Sequence, residues 1–127
     1  MPIFDRIDRK VLVWVPSFVW AFILFFFAVI TFNAGALSSV NNVDKMAHFI
    51  EYLVLAFLVM RVFSCEKQLA LQKSVLFTLI LSGGYGILLE LVQHFIPARE
   101  ASLDDVFFNF VGVIAGITAG KLMPWRK

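Results

Sequence analysis

The chain has 127 residues, 61% of them hydrophobic, and a net charge of only +2. Soluble domains are about 45–50% apolar, so this composition excludes an ordinary soluble domain, and the length leaves room for a single membrane domain. Basic residues gather at segment ends rather than in a stripe interleaved with aromatics, which excludes nucleic acid as a partner.

Residues 1–10 are polar and mixed in charge, with Arg6, Arg9 and Lys10 set against Asp5 and Asp8. Residues 11–32 then run for 22 positions without a charge, long enough to cross a hydrocarbon core of about 30 Å. Pro16 falls in the first turns of this span and can kink it. Ala34-Gly35-Ala36 resembles a signal-cleavage site, but a signal core spans only about 7–15 residues, so an uncleaved first helix is expected. The Asn-, Ser- and Gly-rich residues 33–42 read as a loop.

A second span covers about 45–63, with His48, Glu51, Tyr52 and Leu55 on one face and Arg61 snorkelling near the far end. A polar link follows, holding Cys65. One cysteine excludes an intrachain disulfide and argues against a Cys-based zinc site, so the thiol reads as idle. The third span, about 74–96, carries Gly83, Gly84 and Gly86 on or beside the face of Glu90, Gln93 and His94. The fourth, about 105–123, repeats Gly112, Gly116 and Gly120 every four residues, a device for close helix packing in lipid. Pro124 ends it, and Trp125, Arg126 and Lys127 form an interfacial anchor. The fold expected is all-α: four transmembrane helices in an antiparallel up-down bundle over residues 1–127.

Orientation follows from the Lys and Arg count. The N-terminus, the second link with its flanks, and the C-terminus together carry nine, against two (Lys45, Arg99) in the first and third links. The positive-inside rule places both termini in the cytoplasm. The expected location is the bacterial cytoplasmic membrane, with multiple spans.

The stretch from Gly86 to Asn109 organises the chain. Glu90, Gln93, His94 and Pro97 share one helix face; Asp105, Asn109, Gly112 and Gly116 share another. The link between these helices is short, so the two faces are expected to be near each other. His48 and Asn109 lie about 6 Å, and Glu90 about 10 Å, inside the outer helix ends at 1.5 Å per residue. Asp44, Lys45, Arg99, Ser102 and Asp105 sit at the mouth. A charge facing lipid at a helix centre costs about 2.5–3.5 kcal/mol or more, so these groups are expected to face one another or a pocket open to the outside.

Each group keeps two readings. Glu90 is either a general acid or base or a structural carboxylate paired with Arg99 or His48. His48 is either a catalytic or ligand-contacting group or an interhelical hydrogen-bonding group. Gln93 and Asn109 read as helix–helix contacts, and Asp44 and Asp105 as N-caps. Arg99 either clamps a phosphate or carboxylate or balances Glu90 and Asp105. A zinc set built from His48 with Glu51 and Glu90 with His94 is conceivable, but no His-Glu-x-x-His is present; neither metal nor cofactor is expected.

Three blocks carry a resemblance. Asp44-Lys45-x-x-His48-Phe49-x-x-Tyr52, Gly86-x-x-x-Glu90-x-x-Gln93, and Pro97-x-Arg99-x-x-Ser102-x-x-Asp105-x-x-x-Asn109-x-x-Gly112 resemble the VanZ-like family of small integral membrane proteins. The resemblance covers about residues 44–116. It implies Asp44, Lys45, His48, Tyr52, Glu90, Gln93, Arg99, Ser102, Asp105 and Asn109 as motif positions; Glu51 and His94 fall between them. The family is named for a protein associated with resistance to teicoplanin, a lipid-tailed glycopeptide antibiotic.

Three functions stay open. In the first, the outer cluster binds a lipid, a lipid-linked cell-wall precursor or a lipidated glycopeptide by its head group, with Lys45 and Arg99 meeting the anion and the Gly-rich faces accommodating an acyl chain. In the second, an intramembrane hydrolase or transferase acts on a lipid head group through Glu90 or His48. In the third, a structural or assembly subunit uses the cluster for packing alone. The partners expected are membrane lipids, with the oligomeric state left open.

Overall fold

Each apolar run forms a helix. The structure, a computed structural model, describes residues 3–30, 41–97 and 102–123. Helix α1 spans Ile3–Val29, α2 Asn41–Arg61, α3 Leu71–His94 and α4 Leu103–Leu122; a π-helical turn, Val62–Glu66, prolongs α2. No strand occurs among the described residues. The segments Lys10–Val29, Asp44–Glu66, Leu71–His94 and Leu103–Leu122 run for 20, 23, 24 and 20 residues and are apolar enough to cross a membrane. Phe18, Phe22, Phe26, Leu76, Ile80, Leu88, Phe107 and Ile114 are exposed on their flanks. In water these side chains would form a large sticky patch; in a bilayer they are the surface that meets acyl chains.

Three helices begin several residues before the uncharged runs do. Helix α1 starts at Ile3 rather than near Val11, and α2 at Asn41 rather than Lys45. An uncharged run measures only the lipid crossing, whereas polar and charged residues make the same i to i−4 backbone bonds and let the helix continue into the headgroup layer. Pro16 sits inside α1 and supplies no N–H to the turn before it. The neighbouring Ser17 hydroxyl donates to the Val13 carbonyl at 3.1 Å. At the end of the π turn, Lys67 N–H bonds Val62 O and Leu69 N–H bonds Phe63 O, both at 3.0 Å, while Gln68 takes a left-handed φ of 50°. That reversal releases the chain from α2 towards α3, a task usually given to Gly or Asn.

The two N-cap assignments are corrected. Asp44 lies within the first turn of α2, which starts at Asn41, where its charge faces the positive end of the helix dipole. At α4 the cap is Ser102, whose hydroxyl accepts from Asp105 N–H at 3.1 Å. Asp105 is therefore free of capping duty and turns into the bundle.

The tightest pairing joins α2 to α4. A Cβ on Gly112 would lie 2.4 Å from Phe49 O, and one on Gly116 2.3 Å from Leu53 O; on Gly120 it would meet Met60. Residue numbers rise together on both helices, so the two run parallel, backbone against backbone. The glycine repeat of α4 is thus filled by α2, which corrects the expectation that this face accommodates an acyl chain; the expected nearness of the α3 and α4 faces is seen where Gly86 meets Asn109. Helix α3 runs antiparallel to this pair and inserts a stripe of small polar residues, Ser74, Thr78 and Ser82, each at most 1% exposed. Thr78 Oγ1 donates to Met60 Sδ at 3.6 Å. Gly86 continues the stripe, its missing side chain replaced by the Tyr52 ring.

Helix α1 closes the bundle from one side. Trp20 Nε1 donates to Glu51 O at 2.9 Å, and Tyr85 hydroxyl donates to Ala21 O. Leu24 and Ala28 join Tyr52, Leu55, Ala56, Leu89, Val113 and Ile117 in the core. The start of α1 lies by the end of the π turn, with Lys10 Nζ 4.0 Å from Glu66. The start of α1 and the end of α4 therefore share one end of the bundle; the starts of α2 and α4 and the end of α3 share the other.

Candidate functional site

His48 stands at the centre of that second end. It lies about two turns inside α2, on the face shared with Asp44, Glu51 and Tyr52. Its Nε2 is 3.8 Å from Asp44 Oδ1 and 3.9 Å from Asp105 Oδ2. Its Nδ1 is 4.0 Å from Glu51 Oε2 and 4.0 Å from Glu90 Oε1. All four separations exceed a hydrogen bond, which ends near 3.2 Å for N–H···O. One imidazole is thus encircled by four carboxylates without being bonded to any of them, and its Nδ1 is buried with no hydrogen-bond partner.

The deeper groups share this unmet demand. Glu90 is 6% exposed and Asn109 2% exposed. Glu90 Oε2 and both polar atoms of the Asn109 amide are buried without a partner. A buried polar group left unbonded costs about 1–3 kcal/mol, so three such atoms at one depth mark a place prepared for something polar. Packing puts them there. Asn109 is one turn below Asp105 on α4, and its amide lies against the bare Cα of Gly86. The close approach of α4 to α2 at Gly112 is what carries Asp105 and Asn109 to His48.

A cavity of about 270 Å³ opens beside the cluster, lined on its polar side by Asp44, His48, Glu51, Tyr52, Glu90 and Gln93 and on its apolar side by Leu24, Phe27, Ala28 and Leu89. A second space of about 290 Å³, almost wholly apolar, lies against Trp14, Ser17, Ala21, Leu55, Val59 and Tyr85. The two are stacked along one face of α1, at Trp14, Ser17, Ala21, Leu24 and Ala28, whose three- and four-residue spacing keeps them in line.

Of the residues singled out from the sequence, Asp44, His48, Tyr52, Glu90, Gln93, Asp105 and Asn109 are gathered here. Lys45 is not: its Nζ is 3.9 Å from Asp104 and 5.7 Å from the Phe108 ring centre, on the α4 side. Ser102 serves as the cap of α4. Arg99 lies outside the described residues, as do residues 33–40 of the expected loop and the expected anchor 125–127. His94 is exposed and packs edge-on against Phe95 at 5.6 Å, away from the cluster. The conceivable His48, Glu51, Glu90, His94 metal set therefore does not assemble. Glu51, which falls between the motif positions, does join His48; its signal was the i, i+3 spacing alone. The α3 stripe of Ser74, Thr78 and Ser82 was missed, although its four-residue period is visible in the sequence.

The sequence profile of the VanZ/LLP1 family matches residues 6–124. No curated protein and no solved structure matches the chain.

Proposed function

The chain belongs to the VanZ/LLP1 family, and from that premise we propose that it takes up the head group of a lipid-anchored molecule in the cavity beside His48. The observation that carries this reading is the stacking of a polar cavity and an apolar groove along one face of α1. A molecule with a polar head and a lipid tail fits that sequence of surfaces: hydrogen-bonding groups at His48, Glu90 and Gln93, then a tail along Ala21, Ser17 and Trp14. The tail thus takes the α1–α2–α3 groove instead of the α4 glycine face, which α2 occupies. Membrane phospholipids, lipid-linked cell-wall precursors and lipoglycopeptides all have this form. Holding the last of these would lower susceptibility to teicoplanin-type antibiotics.

The charged groups that line the cavity are Asp44, His48, Glu51 and Glu90. They favour hydroxyl and amine donors over a bare anion. Lys45 is engaged by Asp104, so anion recognition by side chains of this chain falls to Arg99.

Two experiments test the reading. Expressed in a teicoplanin-susceptible host lacking an outer membrane, the protein should raise the inhibitory concentration in proportion to its abundance; an unchanged concentration at good expression removes the drug as ligand. Purified protein should be stabilised in thermal-shift assays by at least one phospholipid or cell-wall precursor, and Arg99→Ala should lose the shift. If none of them stabilises it, the cluster serves packing alone.

A second reading is favoured by the His48 Nδ1 contacts at 4.0 Å with both Glu51 and Glu90. Such an arrangement can move a proton, as an intramembrane hydrolase or transferase requires. Glu90→Gln separates the two. It keeps shape and hydrogen bonding but cannot accept a proton, so an enzyme would still bind its lipid and lose turnover, whereas a binding module would keep partial function.

A further inference from the structure

We infer that Asp44, His48 and Asp105 form a binding site for one divalent transition-metal cation of the zinc or manganese class. Ligand atoms of these three residues all lie within 4.8 Å of one another. His48 Nε2 faces the two aspartates at 3.8 and 3.9 Å. These separations are too long for hydrogen bonds. They are about 0.2–0.6 Å wider than the roughly 3.3–3.6 Å between ligands of a tetrahedral zinc with bonds of 2.0–2.2 Å, and the widest pairing of the three exceeds it by at most about 1.5 Å. Small rotations of three side chains close the difference.

The surroundings independently call for a cation. Among the described residues, the ion pairs of Asp44, Glu90 and Asp105 are all with His48. One imidazole, at most singly positive, cannot neutralise them. Glu90, behind the same imidazole, and Asn109, one turn below Asp105 on α4, are both more than nine-tenths buried and hold polar atoms with no hydrogen-bond partner. The other face of the imidazole is also arranged for metal binding. With Nε2 on the ion, Nδ1–H points at the carboxylates of Glu90 and Glu51. A carboxylate behind a ligating histidine fixes its tautomer and raises its basicity. The imidazole nitrogen favours zinc over magnesium and calcium, which prefer an all-oxygen shell, and the two carboxylates suit manganese as well. Three protein ligands leave at least one position open, and Asp44 and His48 both line the cavity. A phosphate oxygen could take that position; this last step rests on the head-group reading above, while metal binding does not.

Little in the residue pattern marks this site. Two ligands come from α2 and one from α4, 57 positions on from His48. Only the glycine-mediated contact of the two helices brings them together.

The test uses purified, chelator-treated, lipid-free full chain in detergent. Calorimetric titration with Zn²⁺ and with Mn²⁺ should show one saturable equivalent for at least one of them, with Mg²⁺ and Ca²⁺ far weaker. His48→Gln and Asp105→Asn should each weaken binding at least about tenfold, and Glu90→Gln by about 10–100-fold through the lost support of the imidazole. His94→Gln should bind as wild type does. The chain has two histidines, so ¹⁵N-histidine NMR of His94→Gln reports His48 alone, and its ring-nitrogen signal should shift on metal addition without any change to the cluster. Absence of a saturable equivalent of either metal, or an unmoved His48 signal, overturns the proposal; so does undiminished binding in both His48→Gln and Asp105→Asn. Head-group retention is then measured with and without metal. Loss of lipid binding with intact metal binding sinks the head-group reading alone.

Discussion

At the residue scale, Ser102 and His48 show opposite ways of handling a polar side chain at a helix start. Ser102 is exposed and serves the backbone: its hydroxyl takes the Asp105 N–H at 3.1 Å. Ser102→Ala removes that bond and should cost about 1 kcal/mol, read as a lower thermal midpoint in detergent with the cluster intact at the bundle end. His48 serves no backbone group. It holds a position among Asp44, Glu51, Glu90 and Asp105 at distances where nothing is bonded. Energy lost to such an arrangement must be recovered from elsewhere in the fold. Replacing Asn109, the most buried polar member, with Leu removes two unbonded atoms and should leave stability equal or higher while ligand or metal uptake falls. A large fall in thermal midpoint would mean that Asn109 is a packing contact.

At the element scale, the parallel pair α2–α4 is the rigid unit, and the absence of side chains makes it possible. A Cβ on Gly116 would lie 2.3 Å from Leu53 O and 2.8 Å from Ala56 Cβ. Neither atom can swing aside, since one is backbone and the other is a methyl at the core. Gly116→Ala must therefore push the helices apart, and overpacking of this kind costs about 1–3 kcal/mol or more. Gly84 gives the control: a Cβ there meets nothing within 4 Å. Gly84→Ala should be neutral or stabilising by up to about 1 kcal/mol, because Ala is the better helix former. Thermal unfolding of the two variants side by side checks the contrast; equal behaviour would mean that the close approach is unimportant. Gly112→Ala should in addition disturb the cluster, because Gly112 lies on the contact that positions Asp105 and Asn109.

For the whole molecule, the starts of α2 and α4 and the end of α3 form one end, with His48 and Asp105, and the start of α1 and the end of α4 share the other. From the bias of nine basic residues to two we propose that the His48 end faces outside, as the positive-inside rule predicts. Alkaline phosphatase fused at Ser39 should be active and fused at Lys127 inactive, with a cytoplasmic reporter giving the reverse. The opposite pattern would turn the cavity towards the cytoplasm and remove lipoglycopeptides as ligands, while metal binding in detergent would be unaffected. Exposed apolar flanks on all four helices leave room for further copies or lipids around the bundle without touching the cavity.

Sequence alone determined the class of this protein, its four crossings and most members of its polar cluster. Those properties are local sums: twenty apolar residues span a bilayer wherever they occur, and Glu90 or Asp105 next to such a run is conspicuous by its cost. The three motif blocks likewise sufficed to indicate the family. The pairing of elements was settled only in three dimensions. Glycines at 112, 116 and 120 announce a close contact but not its partner, because any helix backbone can fill the groove; α2 does so here. In the fold Asp105 is released from the capping role and kept in the cluster, Lys45 is left with Asp104, and His94 stays outside. The fold also decided that His48 meets four carboxylates at 3.8–4.0 Å, a property of three helices at once, since side-chain distances between segments far apart in sequence depend on helix rotation and depth that no single segment encodes.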